Sequence, residues 1–189
     1  MSDFGKECTY NFDNIRDGDI GFSHGCDLLG WLIRLGQNGM KNANDLSQPN
    51  HAFFFVNLDG SFFAAEVGSS GITLNSIEEY QKKNNQIVGV MRWSRFDDKA
   101  ILDQWKKEIL NWVWQKQNSG YDFNGAIKSA IPWWPWGNDP QKEFCSEDVC
   151  SWLIHYGCGI FPAQDPLELY DTLAKRTRDF TAILGYKNT

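Results

Sequence analysis

No stretch of this sequence is apolar for anything near the roughly 20 residues that a membrane-spanning helix needs. Met1 is followed by Ser2-Asp3-Phe4-Gly5-Lys6-Glu7, with neither a basic n-region nor an apolar h-region, so no secretory signal is expected. A basic stripe is missing too. Eighteen Lys and Arg stand against 24 Asp and Glu, and the net charge of −6 argues against nucleic acid, whose phosphates need a positive footprint. The five cysteines (Cys8, Cys26, Cys145, Cys150, Cys158) are odd in number and scattered, which suits a reduced compartment better than a disulfide framework. A soluble cytoplasmic protein of one domain spanning residues 1–189 is the expectation.

Familiar cofactor signatures are also absent. There is no Gly-Lys-Ser/Thr phosphate loop, no Gly-x-Ser-x-Gly elbow, and Gly68-Ser69-Ser70-Gly71 reads as a turn. Cys150, His155 and Cys158, like His24 and Cys26, lack zinc-site spacing, and Cys145, Cys150 and His155 step by five residues and fan around a helix axis. No metal and no cofactor are expected.

Aromatic residues are abundant: nine Trp, thirteen Phe and six Tyr, enough for a bulky core or an aromatic face beside a site. Asp17-Gly18-Asp19 turns into a short strand from Ile20. Ser23 or Asp27 is positioned to cap a helix carrying Leu28, Leu29, Trp31, Leu32, Ile33 and Leu35, followed by an Asn-rich loop over 38–50. His51-Ala52-Phe53-Phe54-Phe55-Val56 and Phe62-Phe63-Ala64-Ala65-Glu66-Val67 read as strands joined by an Asp59-Gly60 hairpin turn. A brief Ile72-Thr73-Leu74 segment follows, and Ser76 with Glu79 forms a capping box for a helix to about Lys82. After a strand over 87–93, Asp97 or Asp98 caps a long helix ending near Gly120. Ile131 to Gly137 is a Trp-rich loop broken by Pro132 and Pro135. Helices from Cys145 to about His155 and from Pro166 close the chain, an order that predicts an α+β fold.

Three residues carry chemistry. Cys145 opens a helix, where unpaired N–H groups and the positive end of the macrodipole favour a thiolate. Taken alone, a cysteine beside Phe144 and Val149 is more commonly a small core residue, and His51 alone is more commonly a satisfied histidine. Glu66 is harder to dismiss. An acid inside Phe-Phe-Ala-Ala-Glu-Val is expensive to bury without a partner, and strand alternation brings His51 within reach if the register allows. A nucleophile on a helix end with a base and an orienting carboxylate on strands is the arrangement of a papain-like cysteine hydrolase. Glu147 and Asp148 work the other way, since negative charge raises a neighbouring thiol's pKa.

With those segments in this order, the chain resembles the circularly permuted branch of the NlpC/p60-type papain-like hydrolases, the YiiX/YaeF-like group, itself related to the lecithin retinol acyltransferase fold. The residues that carry the resemblance are Gly18-Asp19-Ile20, Asn50-His51-Ala52, Ala65-Glu66-Val67, Tyr121-Asp122-Phe123-Asn124-Gly125, Phe144-Cys145-Ser146 and Asp165-Pro166-Leu167-Glu168-Leu169. It implies a small antiparallel sheet or barrel packed on helices, with the Cys helix after the His strand. It also implies a Cys145-His51-Glu66 triad, with the Tyr121 hydroxyl as an oxyanion donor beside the Cys145 N–H. Two departures bear on substrate. Ala52-Phe53 replaces the small residues common after the histidine, and the Trp loop lengthens the Tyr121–Cys145 separation.

The reaction expected is cleavage of an amide, in a peptide or peptidoglycan-derived fragment, through an acyl-enzyme. The acyltransferase side of the resemblance leaves a lipid ester or thioester, or acyl transfer, as the alternative, and a non-catalytic binding or virion module on the same fold remains a third reading. Trp133, Trp134 and Trp136 pack as a lid, stack on substrate, or meet a membrane interface. The sequence does not fix the oligomeric state.

Overall fold

Asp59 and Gly60 both take positive φ, 51° and 88°, the signature of a type I′ turn whose twist matches the strands it joins. In the computed structural model, which describes residues 13–24, 48–68, 71–82, 86–116, 144–160 and 165–184, this turn connects β2 (His51–Leu58) to β3 (Ser61–Gly68). Around that hairpin lie β1 (Ile20–His24), β4 (Gly71–Ser76), β5 (Gln86–Trp93) and β6 (Phe180–Leu184). The six form one antiparallel sheet in the order β4-β3-β2-β1-β5-β6. The described α-helices are α1 (Ile77–Lys82), α2 (Lys99–Lys116), α3 (Cys145–His155) and α4 (Pro166–Lys175), with a 3-10 turn at Ser94–Asp97. The architecture is α+β.

β2 explains why its sequence is an unbroken apolar run. Phe53, Phe54 and Phe55 are all fully buried, so both faces of the sheet are covered. Ala52, Phe54, Val56, Ala65 and Val67 point to one side and join Trp105, Ile109, Val149, Leu153, Leu169 and Leu173 in the main core. Phe53, Phe55 and Ala64 point to the other side and pack with Ile77, Tyr80, Ile87 and Val90. Gly21 pairs with Phe53 across β1 and β2, and a Cβ at Gly21 would overlap the Phe53 ring, so the glycine admits the aromatic.

One buried ion pair ties the start of the sheet to β5. Asp19, 1% exposed, accepts from Arg92 Nε at 2.8 Å and Arg92 Nη2 at 2.7 Å, and also caps the Arg16 N–H at 2.9 Å. Asp98 Oδ1 receives the Ala100 N–H and begins α2; Asp165 Oδ1 receives Leu167 and Glu168 N–H and begins α4 with Pro166 in its first turn.

The structure departs from the sequence expectation at three places. Ser23 lies inside β1, not at a helix cap, and its Oγ bonds the Tyr80 hydroxyl at 2.5 Å. The expected brief segment at Ile72 is a full six-residue strand, because it pairs with β3 along its whole length. β6 has no counterpart in the sequence pattern. A turn held by the Arg176–Asp179 pair returns the chain from α4 to the sheet edge, and the five-residue segment on that edge carries too little alternation to announce a strand. The helix expected after Ser23 and the continuation to Gly120 lie outside the described residues.

Candidate active site

The register of β2 and β3 decides whether His51 and Glu66 meet. Phe54 pairs with Ala65, so His51 and Glu66 both project to the face opposite Phe54 and Ala65. His51 Nε2 lies 2.5 Å from Glu66 Oε2. An ionised carboxylate only accepts, so Nε2 carries the proton and donates. The second oxygen of Glu66 is also engaged: Asn75 Nδ2 donates to Oε1 at 2.6 Å and to Thr73 Oγ1 at 3.0 Å. Thr73 sits directly across from Glu66 on β4, and Asn75 lies on the diagonal, so the edge strand fixes the carboxylate. Phe53 and Tyr80 stack near-parallel to the imidazole at centroid distances of 6.3 and 6.4 Å and wall it on its own face. The His51 side chain retains 19% exposure against 9% for Glu66.

Cys145 arrives from the other side of the sheet. Phe144, extended and without a side-chain cap, leaves the first N–H groups of α3 unclaimed by any cap, and Cys145 is the first helical residue. Phe144, Val149, Cys150 and Leu153 anchor α3 in the main core, which holds the helix start against β2. The thiol is 1% exposed and hydrogen bonds the His51 side chain. With Nε2 committed to Glu66, Nδ1 is the nitrogen left to face the sulfur.

The electrostatics of the pair run in opposite directions. Burial raises the Cys145 pKa, but the His51 charge, its hydrogen bond and the backbone N–H groups of Ala52 and Ser146 outweigh it, so the thiol lies below its ordinary value. Burial likewise opposes charge on His51. The Cys145 thiolate and then the Glu66 carboxylate overcome it and hold the imidazole well above 6.5. Both shifts favour a thiolate–imidazolium pair over the neutral pair, against Glu147 and Asp148 in the first turn of α3.

The structure thus brings Cys145, His51 and Glu66 into one hydrogen-bonded series. Tyr121, Trp133, Trp134 and Trp136, together with Cys8 and Cys26, lie outside the described residues. Cys150 is a core residue, and burial pushes the Cys158 thiol up, away from reactivity. His155 is exposed and lies 3.5 Å from Glu108. Among the described residues no three His, Cys, Asp or Glu side chains form a metal-binding group, and no helix is long and apolar enough to cross a membrane.

Sequence reasoning missed Asn75 and the Ala52 N–H. Asn75 had one usable signal: it lies two residues from Thr73, so on a strand paired with β3 the two share the Glu66 face.

No family model matches the chain, and no curated protein matches it in sequence. Among solved structures, it is similar to the metalloprotein yiiX from Escherichia coli O157:H7, at 11% identity and a TM-score of 0.46, over 90% of this chain and 97% of that one. That is a weak likeness of backbone course.

Proposed function

We propose that this chain is a cysteine hydrolase that cleaves an amide bond through an acyl-enzyme, with Cys145 as nucleophile, His51 as base and acid, and Glu66 as the residue that orients His51. The observation that supports this reading is the meeting of three side chains from β2, β3 and α3, with both nitrogens of His51 and both oxygens of Glu66 engaged. On the same reading the whole chain is one permuted NlpC-type papain-like domain, since the His strand precedes the Cys helix.

The Cys145 thiolate attacks the carbonyl carbon, and the C–O π electrons move to oxygen. The Cys145 backbone N–H at the start of α3 donates to that oxyanion, joined by the Tyr121 hydroxyl that the family resemblance supplies. Collapse breaks the C–N bond, and the His51 imidazolium gives its proton to the departing amine. Neutral His51 then takes a proton from water, the hydroxide attacks the thioester carbon, and the C–S bond breaks to restore the thiolate–imidazolium pair. Glu66 keeps Nε2 protonated and Nδ1 turned to sulfur throughout. Because Cys145 is 1% exposed and His51 is the more open partner, the carbonyl enters from the imidazole side.

Site-resolved iodoacetamide labelling, read by peptide mass spectrometry on wild type and His51→Ala, tests the reading. Cys145 is expected to label faster than the other four cysteines near neutral pH and to lose that lead in His51→Ala. Equal reactivity in the folded wild type would overturn it. Hydrolysis of a panel of peptide amides, lipid esters and thioesters, compared with Cys145→Ala, then identifies the scissile bond.

A further inference from the structure

Beside the candidate active site, α2 and α3 leave a cleft of about 350 Å³ lined by Glu108 and Trp112 from α2 and by Asp148, Ser151, Trp152 and His155 from α3. That volume is at the small end for ligand sites, enough for a side chain or a small organic ion. Its walls combine two chemistries. Trp112 and Trp152 meet edge to face at a centroid distance of 5.7 Å and present indole surface while only partly buried. Glu108, 36% exposed at its side chain, places a carboxylate on the cleft, whereas Asp148 is 2% exposed in its floor. Glu108 is held in its charged form: hydrogen bonds from Gln104 and from the Tyr156 hydroxyl, at 2.8 and 2.7 Å, lower its pKa. Indole surface and acceptor oxygens together favour a ligand with an aliphatic stem and a cationic head. The chain's net charge of −6 draws such a ligand in.

We infer that this cleft binds a basic side chain, an alkylammonium or guanidinium, its methylenes against Trp112 and Trp152 and its charge on Glu108. His155 lies 3.5 Å from Glu108, and its side chain is 64% exposed. Asp148 follows Cys145 by one turn of the same helix, about 5 Å along the axis. In a peptide hydrolase the cleft is therefore a subsite that selects a basic residue near the scissile bond, and this last step rests on the function proposed above.

The test separates the two claims by using Cys145→Ala, which cannot turn over and leaves the cleft lining intact. N-acetyl-lysine N-methylamide and its uncharged isostere N-acetyl-norleucine N-methylamide are titrated, and the indole N–H resonances of Trp112 and Trp152, assigned through their Phe variants, are followed by NMR. The lysine compound should shift both resonances and bind about tenfold more tightly than norleucine at low salt. Glu108→Gln, a substitution on the half-exposed face of α2, should weaken the lysine compound about three- to tenfold and leave norleucine unchanged. Equal affinity of the two compounds, or shifts at other indoles only, would overturn the inference. If lysine binds but Cys145 shows no His51-dependent reactivity, the hydrolase reading falls and the cation site stands; the reverse result removes the cation site alone.

Discussion

Replacing Glu66 by Gln removes one charge from the series and little else, so its consequence can be worked from the structure. Gln is isosteric, and its carbonyl can still accept from His51 Nε2, while Asn75 turns its amide to present oxygen to the new NH2 group. What is lost is the attraction between a carboxylate and an imidazolium in contact at 2.5 Å, with side chains 19% and 9% exposed. Two unit charges about 4 Å apart attract by about 4 kcal/mol at an effective dielectric of about 20, an upper bound equal to about 3 pKa units. Solvent reaching the imidazole reduces this, and a shift of about 1 to 2 units is expected. The sign is fixed: losing the carboxylate destabilises the imidazolium, so the His51 pKa, held well above 6.5 in the wild type, falls. Iodoacetate is the suitable reagent because its own negative charge makes alkylation of Cys145 faster while His51 is protonated. In the wild type the rate rises with thiolate formation and falls as His51 deprotonates, giving a bell. Glu66→Gln should move the alkaline limb of that bell to lower pH by about 1 to 2 units. An alkaline limb unmoved within about 0.3 units, in a folded variant, would show that Glu66 does not set the charge on His51 and would refute the reasoning.

Other substitutions probe what surrounds the series. Asn75→Ala removes the donor at 2.6 Å from Glu66 Oε1, and a hydrogen bond to a charged group is worth about 1.5 to 3 kcal/mol; urea unfolding should report a loss in that range, and an unchanged midpoint would dismiss Asn75 as a support. Asp19→Asn leaves Arg92 without its buried partner and should destabilise by about 3 to 5 kcal/mol, read by the same titration, whereas a surface-like loss under about 1 kcal/mol would contradict the burial. Gly21→Ala forces the Phe53 ring from its place over β1 and should cost about 1 to 3 kcal/mol in thermal or chemical unfolding; because Phe53 also stacks on His51, Cys145 labelling should slow with it, and normal stability would show that the ring relocates freely.

Stability and chemistry share the same residues in this sheet. Phe53 covers Gly21, packs on Tyr80 at 5.1 Å and lies against His51, while Tyr80 reaches back to Ser23 on β1. The imidazole is therefore oriented by packing as well as by Glu66, which lowers the entropy lost when it takes up the geometry needed for proton transfer.

Local signals in the sequence determined the β2–β3 hairpin, the helix starts at Ser76, at Asp97 or Asp98 and at Pro166, and the placing of Cys145 at the first turn of a helix. Each depends on residues within a few positions of one another: a turn that demands positive φ, an oxygen that caps nearby N–H groups, an apolar period. The sequence also named His51 and Glu66, because an acid in an apolar strand requires a partner. The tertiary structure alone decided that they meet, since a one-residue slip in register would have sent Glu66 to the opposite face, among the residues of the main core. It alone supplied Asn75, whose role exists only because β4 pairs with β3, and β6, whose strand character comes from the edge of β5 and not from its own pattern. The lowered Cys145 pKa and the raised His51 pKa belong to that second group as well. The position of Cys145 on α3 is local, but its charge depends on an imidazole 94 positions earlier in the chain, brought into contact by the packing of the helix on the sheet.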